Sequence, residues 1–156
     1  MFREMRRAKQ QLSREECEEV LASAPRGVLS VLGENGYPYG VPLNFMWHEG
    51  KLYFHGAREG HKLDALAAHD KASFTVLDEG TREEGQWWLT FRSVIAFGRV
   101  RRIEDEARAR EILMLIGQRY FPPEKDVAES VEHSMPRVAM LEMCIDHLSG
   151  KRVQEK

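Results

Sequence analysis

The chain has 156 residues, of which 42% are hydrophobic and 31% charged, and its formal net charge is −2. We expect a single globular domain over residues 1–156, with its core at about residues 10–150, since this length and composition are typical of one folded domain. The near balance of positive and negative charges gives no general attraction to nucleic acid or to anionic membranes.

The N-terminal stretch MFREMRRAKQQ is basic, but the apolar run of a secretory signal or a membrane span does not follow it. A cytoplasmic protein is therefore expected. The two cysteines, Cys17 and Cys144, lack the spacing of a metal site and are predicted to be small buried hydrophobes. The histidines form no ligand motif either, so we expect no metal site.

The first predicted helix begins after Ser13, which forms the capping box S-x-x-E with Glu16. Pro25 ends this helix. A second helix is predicted over residues 60–69. A third follows Asp105 and turns four side chains inward: Ile112, Leu113, Ile116 and Tyr120.

About six strands are predicted, mostly antiparallel. In chain order they cover residues 28–32, 37–47, 51–55, 72–77, 87–103 and 138–145. Pro38 and Pro42 cannot donate to a ladder, so the second strand is expected at an edge or a bulge. The polar segment 124–136 is predicted to be a loop or a loose helical turn. Because the strands cluster, the pattern favours a mainly β fold, a six-stranded antiparallel barrel with peripheral helices, over a βαβ unit.

A charged connection between a strand and a helix is the richest candidate site. Residues 55–62, HGAREGHK, pass two glycines and place Arg58 and Lys62 beside the first turn of the helix. Glycines, helix amides and cations together suit a phosphate, although an ordinary solvated connection has the same residues.

Two further segments place polar side chains inside apolar strands. Arg92 and Ser93 project to opposite faces of their strand, and Arg92 either binds an anion or lies on a solvated face. Asn44 lies in a strand interrupted by Pro42, and it either bonds a planar heterocycle or is bonded to its own neighbours.

Three blocks, GVPLNF (40–45), KLYFHGAREGHKLDAL (51–66) and FRSVIAFGRV (91–100), together resemble the FMN-binding split barrels of the pyridoxamine 5′-phosphate oxidase type. The branch of flavin-nucleotide-binding proteins related to 5-nitroimidazole resistance proteins is the most similar. The resemblance covers about residues 10–150. It implies a six-stranded split barrel that pairs as a homodimer, with flavin mononucleotide (FMN) at the interface.

The resemblance also implies a role for each candidate residue. Backbone and amide groups of Pro42, Leu43 and Asn44 would contact the isoalloxazine ring, and His55, Gly56 and Ala57 would follow the ribityl chain. Lys62, with Ser93 and Arg92, would hold the phosphate. His61 stands where the family often has an arginine, and it would donate to the phosphate as a neutral imidazole.

The implied function is an FMN-dependent oxidoreductase that reduces a small oxidised compound such as a nitroaromatic. The alternative is a flavin-binding module that stores or senses FMN without turnover. No general acid or base is clearly dedicated to a substrate; His55 is the nearest candidate, and it could equally contact the cofactor. Trp87 and Trp88 would stack on the flavin or a substrate, or pack in the core or a dimer interface.

Overall fold

The computed structural model describes residues 1–155. Seven strands form one antiparallel sheet: β1 (Arg26–Leu32), β2 (Pro38–Asn44), β3 (Met46–His48), β4 (Lys51–Ala57), β5 (Lys71–Leu77), β6 (Thr90–Arg102) and β7 (Val138–Gln154). Four α-helices surround it: α1 (Arg14–Ser23), α2 (His61–Ala68), α3 (Glu106–Tyr120) and α4 (Val127–Ser134). None of the helices in this described range is both long and apolar enough to cross a membrane.

The sheet closes on itself at Phe45. Its strand order is β2-β1-β5-β6-β7-β4-β3, so β2 and β3 are the two edges, yet Phe45 alone separates them in sequence. Since neighbouring Cα atoms are only about 3.8 Å apart, the edges must meet there and the sheet must curl into a barrel that stays split beyond this point. The hydroxyl of Tyr120 accepts from the Phe45 amide at 3.2 Å and lies 2.7 Å from the Phe45 carbonyl oxygen.

The apolar residues fall into two groups, one on each side of the curled sheet. Inside the barrel, Phe45, Phe54 and Phe74 are fully buried. The Phe74 ring packs edge to face on Phe45 and tilted on Phe54, and its centroid lies 4.9 Å from each. Outside it, α3 and α4 cover one side, where Tyr53 and Ile112 are fully buried. Alternation along β4 explains the division, because Phe54 points inward and Tyr53 outward.

The mainly β split barrel is confirmed, with seven strands in place of six. The predicted second strand is two strands, because the chain turns at Phe45 from one sheet edge to the other. The last strand runs on to Gln154, since β6 pairs with it from Arg102 back to Thr90. Its polar second half lacks the apolar pattern from which a strand is predicted.

Two local predictions were wrong. The segment predicted as a loop or loose turn contains α4, which Asp126 caps by accepting from the Glu129 amide at 3.0 Å. Cys144 is exposed, whereas Cys17 is buried. The reason is strand alternation: Met143 points into the barrel and is fully buried, so Cys144 points outward, with its sulfur 3.6 Å from a Glu142 carboxylate oxygen.

The predicted N-terminal helix is confirmed in detail. The Ser13 hydroxyl accepts from the Glu16 amide at 3.1 Å, and the Glu16 carboxylate accepts from the Ser13 amide at 2.8 Å. These two bonds satisfy amides that the first helical turn leaves open. Val20 and Leu21 of this helix are fully buried in the barrel core, so α1 packs against one end of the barrel.

Candidate functional site

The site is built around the end of β4 and the start of α2. His55, Gly56 and Ala57 pair with Met140, Ala139 and Val138 of β7, and the chain then leaves the sheet. Gly60 precedes α2 with φ at +127°, a conformation that favours glycine. The sequence thus turns sharply from strand into helix, and the turn directs the first helical residues back over β4.

Lys62 lies across the backbone of Gly56. Its ammonium nitrogen would be 2.8 Å from a Cβ atom at position 56, so any larger residue there would displace it. Lys62 forms no hydrogen bond or ion pair with any group in residues 1–155. Burial lowers the pKa of this half-buried ammonium. A buried cation without a counter-ion is costly, so this arrangement favours an anionic ligand.

His55 lies beside Lys62 on the last part of β4. Burial lowers its pKa, and the positive charge of Lys62 lowers it further. The imidazole is therefore neutral at pH 7, with one nitrogen that donates and one that accepts. His55 also lines a pocket of about 210 Å³ between the sheet and helices α3 and α4.

His61 begins α2 and is exposed, and its ring stacks on Tyr39 of β2. The ring centroids are 4.2 Å apart and the planes are inclined by 18°. This contact ties the start of α2 to an edge strand of the barrel. The sequence analysis did not identify Tyr39. It directly precedes the block GVPLNF, and an aromatic residue at that place was the sequence feature that could have indicated it.

The three predicted residues of β2 lie along the edge at the split. Pro42 is exposed and faces Val28 of β1 in the sheet register, and Leu43 packs against the barrel core. The edge position agrees with the inability of proline to donate to a ladder. Asn44 lines the same pocket as His55. The structure therefore brings Asn44 close to the His55–Lys62 segment.

Arg92 and Ser93 lie elsewhere in the chain. Gly56 pairs with Ala139 at the start of β7, whereas Arg92 pairs with Arg152 near its end. The two positions are thus at opposite ends of one long strand. Within a single chain, Arg92 and Ser93 are not part of the group formed by His55 and Lys62.

Arg92 links strand β6 to helix α1 and to the loop that follows β5. Its Nε donates to Asp78 at 2.8 Å, its Nη1 donates to Glu19 of α1 at 3.0 Å, and its amide donates to Asp78 at 2.8 Å. Burial opposes ionisation of Asp78, but the bonds from Arg92 prevail and lower its pKa. Ser93 projects to the opposite, outer face, where it pairs with Leu77.

The loop between β5 and β6 carries the two tryptophans. Trp87 is 71% exposed, so packing in the core is wrong for this residue. Its ring meets the ring of Trp88 edge to face, with centroids 6.0 Å apart. Stacking on a ligand and packing at a dimer interface both stay open for Trp87.

The sequence model of one known family, pyridoxamine 5′-phosphate oxidase, matches residues 13–152. The chain belongs to this family. The matched range includes every residue of the site from Pro42 to Ser93, and it confirms the family resemblance of the three sequence blocks. Comparison with curated proteins finds no match.

Several solved structures have a fold similar to that of this chain. A candidate 5-nitroimidazole antibiotic resistance protein from Bacteroides thetaiotaomicron has a TM-score of 0.78 at 21% identity, over 92% of this chain and 87% of that one. A FAD-binding protein from Mesorhizobium loti has a TM-score of 0.69 at 21% identity, over 92% and 97%. A FAD- and haem-binding protein from Mycobacterium smegmatis has a TM-score of 0.73 at 24% identity, over 94% and 74%. These likenesses confirm the split-barrel fold.

Proposed function

We propose that this protein binds flavin mononucleotide through the His55–Lys62 segment and reduces a small oxidised compound such as a nitroaromatic. The observation that carries the proposal is Lys62, a half-buried cation without a partner in residues 1–155. A flavin phosphate is dianionic at neutral pH and supplies the missing counter-charge. Family membership and the flavin-binding proteins among the similar structures support the same cofactor class.

The residues present fit a flavin phosphate in two respects. First, glycine at position 56 has no side chain, which leaves room for the Lys62 ammonium to lie over the backbone. Second, α2 begins at His61, so the backbone amides of its first turn belong to the same segment as Lys62. A helix N-terminus favours negative charge, so these amides would add to the attraction of Lys62. The exposed His61 would assist as a hydrogen-bond donor. FMN has one phosphate, which a site with one unpaired lysine matches.

A homodimer with a flavin at its interface is part of the proposal. Arg92 and Ser93 lie far along the barrel from Lys62, so they would reach a flavin only from the second copy. The outer face of β1, β5 and β6 supports such pairing, because Val28 and Leu77 are 36% and 52% exposed on it. Arg92 is already paired with Asp78 and Glu19, which leaves Ser93 as the freer donor.

A bound flavin supplies hydride and electron transfer, and the chain supplies position and charge. Lys62 would fix the phosphate end, and Asn44 would orient the ring from the edge strand β2. His55 is neutral and borders a pocket, so its N–H can donate a hydrogen bond to a substrate atom that gains electrons. The same imidazole could instead contact the flavin alone.

The test is a titration of the purified protein with FMN, followed by flavin absorbance and fluorescence. Lys62→Ala is expected to weaken FMN binding by about 1.5–3 kcal/mol, the range for a bond to a charged group. Lys71→Ala, at an exposed lysine on β5, is the matched control and should bind FMN as the parent does. Equal affinity of both variants would remove Lys62 from the site. Absence of FMN binding by the parent protein would refute the proposal, and preference for FAD would correct the cofactor.

A second experiment separates turnover from storage. The FMN-loaded protein is mixed with a reduced nicotinamide, and flavin absorbance is followed before and after addition of nitrobenzene. Loss of the oxidised flavin band and its return on nitrobenzene addition are expected for the oxidoreductase. Tight FMN binding without any change in absorbance would favour the storage module.

A further inference from the structure

The pocket beside His55 differs chemically from the other clefts of the barrel. Asn44 and His55 form its wall on the sheet side; Leu113 of α3, Phe121 just after α3 and Ser134 of α4 line the opposite side. Apolar, aromatic, hydroxyl and amide side chains line it, without any aspartate, glutamate, lysine or arginine. By contrast, the cleft next to α2 is lined by several charged side chains of both signs. The pocket is therefore suited to an uncharged ligand.

Three polar side chains at the pocket have unused hydrogen-bonding capacity. Asn44, His55 and Ser134 make no side-chain hydrogen bond to another group in residues 1–155. By contrast, the Ser130 hydroxyl on the same helix donates to the Asp126 carbonyl at 2.8 Å. Open donors and acceptors at the rim of an apolar pocket are what orients a small ligand.

The charge state of His55 strengthens the case for a neutral ligand. Burial and the nearby ammonium of Lys62 both favour the neutral imidazole, so the wall carries no charge at pH 7. Neutral imidazole offers one donor and one acceptor, and the Asn44 amide offers both as well. A ligand with oxygen or nitrogen acceptors on its ring would find donors on this wall.

The size of the pocket limits the ligand to one ring. A dry cavity of about 150 Å³ is enough to bind benzene in a protein core. At about 210 Å³, this pocket has room for a single ring with a small substituent. Phe121 and Ser134 line it on the helix side, so a longer side chain at position 134 would take up space in the pocket.

We infer that the pocket between α3, α4 and the sheet binds the uncharged aromatic ring of the substrate, and that Ser134 limits the size of that ring. The inference rests on the proposed function, since Asn44 and His55 border both the pocket and the proposed flavin site. It assigns a role to α4, which the family resemblance did not provide. Ser134 is a specificity residue here, because it touches the ligand without exchanging a proton.

The test measures nitrobenzene binding by ligand-observed NMR, with and without FMN. Ser134→Phe fills the pocket and is expected to weaken nitrobenzene binding at least tenfold. Ala128→Phe places the same ring on the exposed side of α4 and should bind as the parent does. Ser134→Val is a smaller insertion, for the case that Ser134→Phe fails to fold, and an approximately threefold loss is expected from it. Thermal unfolding of each variant shows whether it folds.

The outcomes separate this inference from the proposed function. Unchanged nitrobenzene affinity in a folded Ser134→Phe variant would overturn the pocket assignment, even if FMN binds normally. Loss of nitrobenzene affinity with normal FMN binding supports both. Loss of nitrobenzene affinity in a protein that never binds FMN would support the pocket and refute the flavin. Equal losses in Ser134→Phe and Ala128→Phe would count against a local pocket effect.

Discussion

The two outer sides of the barrel are both built of antiparallel strands, but in the described part of the chain α-helices pack on only one of them. Over β3, β4 and the first half of β7, helices α3 and α4 bury Tyr53, Ile112 and Met140 to 2% exposure or less. Over β1, β5 and β6, outward residues such as Ile95 and Leu77 are half-buried or exposed. Both sides present apolar residues outward. Helices α3 and α4 cover one side within the chain, whereas within residues 1–155 the other side has no α-helix over it (the helix-free side) and supports the proposed pairing with a second copy.

The N-terminal residues sharpen this contrast, because they lie on the helix-free side. The ring of Phe2 stacks on His147 of β7, with centroids 4.5 Å apart, and lies 5.4 Å from the ring of Phe97. Phe2 is still 46% exposed there. The segment therefore covers part of the face loosely, whereas α3 and α4 leave Tyr53 and Met140 at 2% exposure or less.

The largest expected effect compares one isoleucine on each side. Ile112→Ala removes a fully buried side chain under α3 and is expected to lower the free energy of unfolding by about 2–5 kcal/mol. Ile95→Ala removes the same atoms from the helix-free face of β6, and a loss below about 1 kcal/mol is expected for the monomer. Urea unfolding of both variants at low protein concentration measures the difference. Equal losses would show that the two sides are equally packed.

The next prediction concerns pairing of the helix-free side. Ile95→Asp places a negative charge on that face, and burying it in a dimer is expected to weaken dimerisation at least tenfold, or about 1.4 kcal/mol. Gln118→Asp makes the same change in charge on the exposed side of α3 and should leave the dimer intact. Analytical ultracentrifugation over a range of concentrations measures both. A monomeric parent protein would contradict the proposed homodimer.

A smaller change in stability is expected from the hydrogen bonds that the Tyr120 hydroxyl of α3 makes at the split between β2 and β3. The Tyr120 hydroxyl lies 2.7 Å from the carbonyl oxygens of Pro25 and Phe45 and accepts from the Phe45 amide. Tyr120→Phe leaves those groups without this partner and should cost about 1–2 kcal/mol of unfolding free energy. Tyr37→Phe is the control, because Tyr37 is 73% exposed. Thermal denaturation measures both. Equal melting temperatures of the two variants would show that the hydrogen bonds of Tyr120 do not stabilise the fold.

Local sequence signals predicted the elements that local chemistry determines. The capping box at Ser13 and Glu16, the edge position of Pro42 and the inward face of α3 are all set by residues a few positions apart. The segment proposed as the anion site could also be recognised from the sequence, because glycines, a helix start and Lys62 lie close together in it.

Long-range contacts account for what the sequence did not reveal. The resemblance puts Arg92 near the phosphate, and the sequence does not reveal its bonds to Asp78 and Glu19, which lie 14 and 73 residues away. The second half of β7 is polar and is held as a strand by its pairing with β6. Helix α4 was missed because it is short and Val131 is its one buried residue, so its apolar stripe is too narrow to recognise.

The smallest expected effect is a pH dependence of the free energy of unfolding. It arises from His55, which lines the pocket on the helix-covered side. Burial and Lys62 hold the folded pKa of His55 below its usual value near 6.5. The unfolded chain therefore binds a proton first as the pH falls, and the folded state loses stability from about pH 7.5 down through the folded pKa. His55→Gln is expected to reduce the loss of unfolding free energy between pH 7.5 and 5.5.

Lys62 gives the same pH experiment a second variant and a control. Lys62→Met removes the charge that disfavours the imidazolium, so it should weaken the pH dependence as well, by less than His55→Gln does, because burial is the larger cause. It should also stabilise the FMN-free protein by a few tenths of a kcal/mol, since a half-buried ammonium becomes apolar. Lys71→Met, at the exposed lysine on β5, should change neither quantity. If Lys62→Met instead destabilised the FMN-free protein, Lys62 would be a structural residue of the barrel, and the anion site at the end of β4 would lose its main support.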